Sequence, residues 1–201
     1  RVFQYLNLKA ELIPIDWIDP LPGERIEAYA KRLSKKIDSS EPFGIIGVSF
    51  GGLVAVEMSK QLHPALTILV SSAETRHELK ALFKIVGKTK ILKIFPKVFF
   101  NPPRKIAYWL FGAKNKALLN QILNDTDLQF AKWAIIELTN WRNTEKLTHH
   151  LVKIGGAKDK LIPPKKDKNT QLIADGGHFM VVDSADEVSQ LINDVLKKWT
   201  L

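Results

Sequence analysis

The stretch Gly47-Val48-Ser49-Phe50-Gly51-Gly52 is the most informative part of this chain, because it matches the glycine-flanked pattern G-x-S-x-G. The apolar residues 43–46 before it predict a buried strand, and residues 53–60 after it have the composition of a helix. A strand that turns directly into a helix lifts the intervening side chain out of the sheet, beside a helix N-terminus that favours negative charge. The pattern therefore predicts that Ser49 is an exposed nucleophile.

Strands and helices alternate on both sides of this turn. The other predicted elements are a strand over 10–18, a helix over 24–37, strands over 65–70, 151–154 and 170–174, and a helix over 185–199. Pro14 suggests that the first of these strands lies at an edge or carries a bulge. The alternation predicts an α/β fold with a mostly parallel sheet flanked by helices.

Residues 74–150 interrupt this alternation and carry helical periodicity instead. We call this segment the insertion, and it precedes the last two predicted strands. Within it, Asp125-Thr126-Asp127 predicts the N-cap of a helix. The expected organisation is a core formed by residues 1–73 and 151–201, with one helical insertion.

Composition is typical of a globular protein. The 201 residues are 45% hydrophobic and 25% charged, and no apolar stretch approaches the roughly 18 residues of a membrane span. The absence of cysteine excludes disulfides, thiolate metal sites and a cysteine nucleophile, and it fits a cytoplasmic protein.

The net charge of +9 is concentrated in residues 75–116, which contain eleven basic residues and one acidic residue, Glu78. Apolar residues alternate with these charges. Such a segment could attract an anionic substrate, a phospholipid surface or a nucleic-acid backbone, or it could be the solvated face of amphipathic helices. Because no nucleic-acid-binding motif accompanies the charge, we do not expect a nucleic-acid partner.

Two polar residues follow the last two predicted strands, Asp159 and His178. Parallel strands end at one edge of a sheet, where open α/β sheets place their sites. A serine hydroxyl is a weak nucleophile and needs an imidazole to take its proton, and the imidazole needs a carboxylate to fix its tautomer. We therefore expect Ser49, Asp159 and His178 to lie together.

With its nucleophile, acid and histidine in this order, the chain resembles the α/β-hydrolase superfamily. The resemblance covers most of the chain and is strongest in residues 47–52, 155–164 and 176–178. It implies an α/β-hydrolase fold in which the insertion caps the active site. No metal or organic cofactor is implied.

The resemblance also implies roles for individual residues. Ser49 is the nucleophile, His178 is general base and then acid, and Asp159 orients the histidine. The backbone N–H of Phe50 is one oxyanion donor. The superfamily takes its second donor from a glycine-rich loop after an early strand, and we expect that loop to precede Arg1.

Other titratable residues remain as alternatives. Glu74 follows the strand over 65–70, where some members of the superfamily place the acid, but the Asp-x-x-Ile-Pro-Pro context favours Asp159. Asp175 is too close to His178 along the chain. His149 and His150 end the insertion and could line the pocket, although solvated residues at an element boundary are more typical.

The expected function is a serine hydrolase that cleaves a small-molecule carboxylic ester or thioester through an acyl-enzyme. Aromatic residues of the insertion suggest a hydrophobic acyl group, although they could instead form the core of the insertion: Phe83, Phe95, Phe99, Phe100, Trp109 and Phe111. The alternative function is a non-catalytic protein that uses the basic insertion to bind a ligand or a membrane surface.

Overall fold

Four strands form one parallel sheet in the computed structural model of the protein, which describes residues 1–199. The strands are β1 (Gly44–Val48), β2 (Leu66–Val70), β3 (His150–Gly156) and β4 (Thr170–Ile173), and they lie side by side in that order. The register pairs Val48 with Val70, and Val70 with Ile154. The loops that follow β1, β2 and β3 therefore leave the sheet at the same edge.

Eight α-helices accompany the sheet in the described part of the chain. They are α1 (Ile26–Leu33), α2 (Phe50–Leu62), α3 (Ala81–Thr89), α4 (Arg104–Phe111), α5 (Lys116–Asp125), α6 (Leu128–Asn140), α7 (Met180–Asp183) and α8 (Ala185–Leu196). Short 3-10 helices span Val2–Tyr5, Ser34–Lys36, Ile91–Lys93, Lys97–Phe100 and Lys197–Trp199. None of the helices within residues 1–199 has the length and apolar character needed to cross a membrane.

The buried strand β2 divides the core into two hydrophobic clusters. Its residues Leu66, Ile68 and Val70 belong to a cluster that also contains α8, whereas Leu69 belongs to a cluster with α1 and α2. Successive side chains of a strand point to opposite faces of its sheet. Helices therefore cover both faces of β2, as expected for a parallel strand with a continuous apolar sequence.

The fold class predicted from the sequence is confirmed, and the strands on each side of the insertion begin and end within about two residues of their predicted bounds. Between β2 and β3 the described elements are all helical, although His150 already belongs to β3. Asp127 is the N-cap of α6, because its Oδ1 accepts hydrogen bonds from the N–H groups of Gln129 and Phe130.

The predicted strand over residues 10–18 is wrong. This segment pairs with none of the strands in residues 1–199. Pro14 has no N–H to donate to a strand ladder. At the end of the segment, the Ile18 N–H donates to the Tyr29 hydroxyl of α1, and that hydroxyl donates to the Ile18 carbonyl. A side chain therefore satisfies the backbone groups of Ile18 that a neighbouring strand would otherwise pair.

Candidate active site

The turn between β1 and α2 holds Ser49 in an unusual backbone conformation. Its φ is 53° and its ψ is −124°, a region that residues other than glycine rarely occupy. The Ser49 N–H donates to the carbonyl of Val70, and the Ser49 carbonyl accepts from the Gly52 N–H and the Ser72 hydroxyl. These bonds hold the strained turn between β2 and the start of α2, and they leave the Ser49 hydroxyl free for other partners.

Glycines allow the helix to begin close to the strand. A Cβ atom added at Gly47 would lie 2.5 Å from the carbonyl oxygen of Gly51 and 2.8 Å from Cβ of Ala55. A Cβ at Gly52 would lie 2.2 Å from the Ser72 hydroxyl oxygen. Side chains at these two positions would push α2 away from the sheet and displace Ser49.

We expect Gly47→Ala to lower the free energy of unfolding by about 2–3 kcal/mol, because most of the atoms that its methyl group meets are backbone atoms that cannot rotate away. Urea unfolding measures this change. The matched control is Gly51→Ala, whose methyl group would meet Trp17 at 3.5 Å, an ordinary contact distance. Equal destabilisation by both substitutions would contradict this account of the turn.

Ser49, His178 and Asp159 form one chain of hydrogen bonds. Ser49 Oγ lies 2.7 Å from His178 Nε2, and His178 Nδ1 lies 2.8 Å from Asp159 Oδ2. The histidine is 3% exposed and the aspartate 4%. When Nδ1 carries the proton, its N–H donates a hydrogen bond to the carboxylate, and Nε2 accepts the hydrogen bond from the serine hydroxyl.

The loops after β3 and β4 hold the acid and the histidine against each other. Asp159 Oδ1 accepts hydrogen bonds from the N–H groups of Leu161 and Ile162, which leaves Oδ2 for His178. The two loops meet through glycines, since a Cβ at Gly156 would lie 2.3 Å from the carbonyl oxygen of Gly176. This close approach sets the distance between the two side chains.

The end of α4 packs on residues 174–179, the loop after β4 that carries His178, which we call the histidine loop. The Phe111 ring lies edge-on to the His178 ring, with 5.5 Å between ring centroids, and its carbonyl accepts from the Phe179 N–H. Among the described aromatic residues of the insertion, Phe111 is the one whose ring contacts the His178 ring. Phe95, Phe99 and Trp109 lie instead at the surface of the insertion.

Phe50 is the first residue of α2 and follows Ser49 directly. The first four N–H groups of a helix have no acceptor in a preceding turn, so its N–H is available beside the Ser49 hydroxyl. The Phe50 ring belongs to an aromatic cluster with Trp17, Tyr29, Phe130 and Trp133. Sequence reasoning missed Trp17, because it lies in the segment that was predicted to be a strand.

Within residues 1–199, none of the alternative residues forms a hydrogen bond with the His178 ring. Glu74 is buried and accepts a hydrogen bond from the Leu147 N–H. Asp175 forms an exposed ion pair with Lys158. His149 and His150 lie at the amino end of β3, the opposite edge of the sheet from Ser49.

Burial raises the pKa of Glu74 above its ordinary value of 4.5. The folded state then binds the proton more tightly than the unfolded state, so this carboxyl lowers stability as the pH rises above 4.5. Glu74→Gln keeps an acceptor for the Leu147 N–H without the charge. We expect the variant to exceed the wild type in unfolding free energy at pH 8, with the difference shrinking towards pH 4, in urea titrations. If the unfolding free energy of the variant minus that of the wild type were smaller at pH 8 than at pH 4, the raised pKa of Glu74 would be contradicted.

An open groove of about 590 Å³ lies beside the histidine loop. Its lining residues are Gly112, Lys114, Lys158, Lys160, Asp175 and Gly177. The Lys160 ammonium lies 4.3 Å from the centroid of the Trp109 ring, and Lys158 pairs with Asp175 at 2.5 Å. With three cations and one carboxylate, the groove favours anionic groups.

Solved structures resemble most of the chain, whereas no protein-family model and no curated protein matches its sequence. A thermophilic esterase from Thermogutta terrifontis superposes with a TM-score of 0.62 and 17% identity, over 87% of this chain and 73% of that one. MenH from S. aureus superposes with a TM-score of 0.61 and 18% identity, over 87% and 76%. A lipase-esterase related protein from Clostridium acetobutylicum gives 0.60 and 14%, over 85% and 75%.

These neighbours are members of the α/β-hydrolase superfamily. The superpositions show a shared backbone architecture, and at identities below 20% they show the fold alone. The four parallel strands with helices on both faces agree with this fold. The chain therefore has the α/β-hydrolase fold.

Proposed function

We propose that this protein is a serine hydrolase that cleaves a carboxylic ester or thioester through an acyl-enzyme. The observation that carries the proposal is the hydrogen-bonded chain from Ser49 through His178 to Asp159, with Ser49 held at positive φ at the start of α2. A nucleophile, a base and an orienting carboxylate within hydrogen-bond distance are what acyl transfer at neutral pH requires.

In the first half of the reaction, Ser49 Oγ attacks the substrate carbonyl carbon while His178 Nε2 takes the hydroxyl proton. The carbonyl oxygen becomes an oxyanion, and the Phe50 N–H donates a hydrogen bond to it. The bond to the leaving group then breaks, and His178 gives its proton to that group. The proton goes to oxygen when the leaving group is an alcohol and to sulfur when it is a thiol. The acyl group remains esterified to Ser49.

In the second half, a water molecule attacks the acyl carbon while His178 Nε2 takes one of its protons. Collapse of the second tetrahedral intermediate breaks the bond to Ser49 Oγ, which recovers the proton from His178. The products are a carboxylic acid and the free enzyme. Asp159 stabilises the imidazolium in both halves and fixes the ring, because its Oδ1 is already bound by two backbone N–H groups.

Two features support a substrate with a hydrophobic acyl group and an anionic remainder. Apolar rings surround Phe50, next to the nucleophile, and Trp17 among them is 47% exposed and open to a ligand. The groove beside the histidine loop carries Lys114, Lys158 and Lys160. The insertion would act as a cap in this arrangement, because α4 ends against His178.

The proposal is tested by a panel of p-nitrophenyl esters and acyl-CoA thioesters of increasing acyl length, assayed with the full-length protein. We expect hydrolysis with a burst of the first product, since the acyl-enzyme accumulates when its hydrolysis is slower than its formation. A higher kcat/KM for longer acyl chains would support the hydrophobic acyl site. Folded protein that hydrolyses none of these substrates would contradict the proposal.

A further inference from the structure

The insertion exposes many of its large apolar side chains. Nine large hydrophobic side chains between residues 82 and 109 are 38–82% exposed. They are Leu82, Ile85, Ile91, Ile94, Phe95, Val98, Phe99, Ile106 and Trp109, and we call them the exposed apolar set. Single exposed hydrophobic residues are common in globular proteins, whereas exposed hydrophobic residues that are grouped mark interaction sites.

The helices of the insertion also pack through residues outside the exposed apolar set. Helix α3 and the 3-10 helices Ile91–Lys93 and Lys97–Phe100 all pack against α6. Residues outside the exposed apolar set contribute to this packing: a Cβ at Gly87 would meet the Thr139 carbonyl, and Phe100 is buried. Leu82 and Ile85, three residues apart on α3, remain in solvent, and the Phe95 and Phe99 rings contact each other at 5.4 Å.

Within the part of the chain that the structure describes, ion pairs do not compensate the positive charge around this set. Among the described residues 1–199, none of the eleven basic side chains in residues 75–116 forms an ion pair. Lys88, Lys93, Lys97 and Lys105 are exposed between members of the exposed apolar set. The surface therefore combines uncompensated positive charge with apolar side chains, including a tryptophan.

We propose that the insertion docks on an anionic phospholipid bilayer through the exposed apolar set and the lysines between its members. Apolar side chains enter the boundary between headgroups and acyl chains, lysines pair with anionic headgroups, and tryptophan favours this interface. A second copy of the chain fits poorly, because two segments with ten net positive charges each would repel. A nucleic acid would neutralise the charge but leave the apolar side chains in water.

Co-sedimentation of the full-length protein with vesicles tests the proposal. We expect stronger binding to vesicles of phosphatidylcholine with phosphatidylserine than to phosphatidylcholine alone, and weaker binding at high salt. The double variants Ile94→Ser/Phe99→Ser and Lys93→Gln/Lys97→Gln should each lower the partition coefficient about tenfold or more. Exposed residues outside the insertion provide the controls Ile13→Ser and Lys35→Gln/Lys166→Gln, which should bind as the wild type does.

Binding that is absent, or equal for neutral and anionic vesicles, would overturn the proposal. So would a dimer in light scattering that Ile94→Ser/Phe99→Ser dissociates, because a second copy would then cover the surface. The same variant should hydrolyse a soluble p-nitrophenyl ester at the wild-type rate, since Ile94 and Phe99 are 82% and 68% exposed and the chain from Ser49 to Asp159 contains neither of them. This readout separates failure of the membrane proposal from failure of the proposed catalysis.

Discussion

Ser49→Ala is expected to lower kcat for ester or thioester hydrolysis by about 10⁴–10⁶-fold. The substitution removes the oxygen that would form the acyl-enzyme. The fold should be unaffected, because the hydrogen bonds that hold the turn use the backbone N–H and carbonyl of Ser49. Steady-state kinetics on the best substrate of the panel, with a circular dichroism spectrum of the variant, measure both expectations.

Ser71 provides a matched control for this substitution. It follows β2 as Ser49 follows β1, its φ of 48° is nearly the same, and it is 1% exposed. Its hydroxyl has no hydrogen-bond partner among the described residues. We expect Ser71→Ala to retain wild-type kcat. An equal loss of kcat in the two variants would show that the removal of a hydroxyl at either strand end lowers activity, and that the Ser49 hydroxyl has no special role.

Asp159→Asn is expected to lower kcat by about 10⁴-fold. The amide oxygen can still accept from the N–H groups of Leu161 and Ile162, so the NH₂ group faces His178 Nδ1. Nδ1 must then accept, and the ring proton moves to Nε2. A histidine in that tautomer donates to Ser49 and cannot take its proton.

Glu74→Gln makes the same carboxyl-to-amide change at the alternative acid. Because Glu74 contacts the Leu147 N–H and not His178, we expect this variant to keep wild-type kcat. Side-by-side kinetics of the two variants therefore test the choice of acid. Loss of activity in Glu74→Gln with retention in Asp159→Asn would reverse it.

Local chemistry explains why much of the core was predictable. The turn at Ser49 depends on glycines that lie within a few residues of it, and β2 is a continuous apolar run. Such patterns depend on short stretches of sequence, so they can be recognised without knowledge of the fold. Ser49, Asp159 and His178 each follow a predicted strand. Because the strands of a parallel sheet all end at one edge, the sequence indicated that the three residues lie at the same edge of the sheet.

Contacts between distant segments were not predictable. The position of Trp17 beside Phe50 depends on how residues 10–18 run over the sheet without joining it. Similarly, the sequence does not distinguish the aromatic residues of the insertion from one another. In the structure Phe111, at the end of α4, contacts His178, whereas Phe99 is exposed. Periodicity defines each helix but not which helix reaches the site.

Labelling with a fluorophosphonate probe measures whether the hydrogen-bonded chain to His178 and Asp159 activates Ser49 as a nucleophile. The full-length protein is treated with the probe and analysed by peptide mass spectrometry. We expect one adduct per chain, on the peptide that contains Ser49, with no adduct in Ser49→Ala and wild-type labelling in Ser71→Ala. Folded protein that remains unlabelled, or that is labelled equally in Ser49→Ala, would show that Ser49 is not an activated nucleophile.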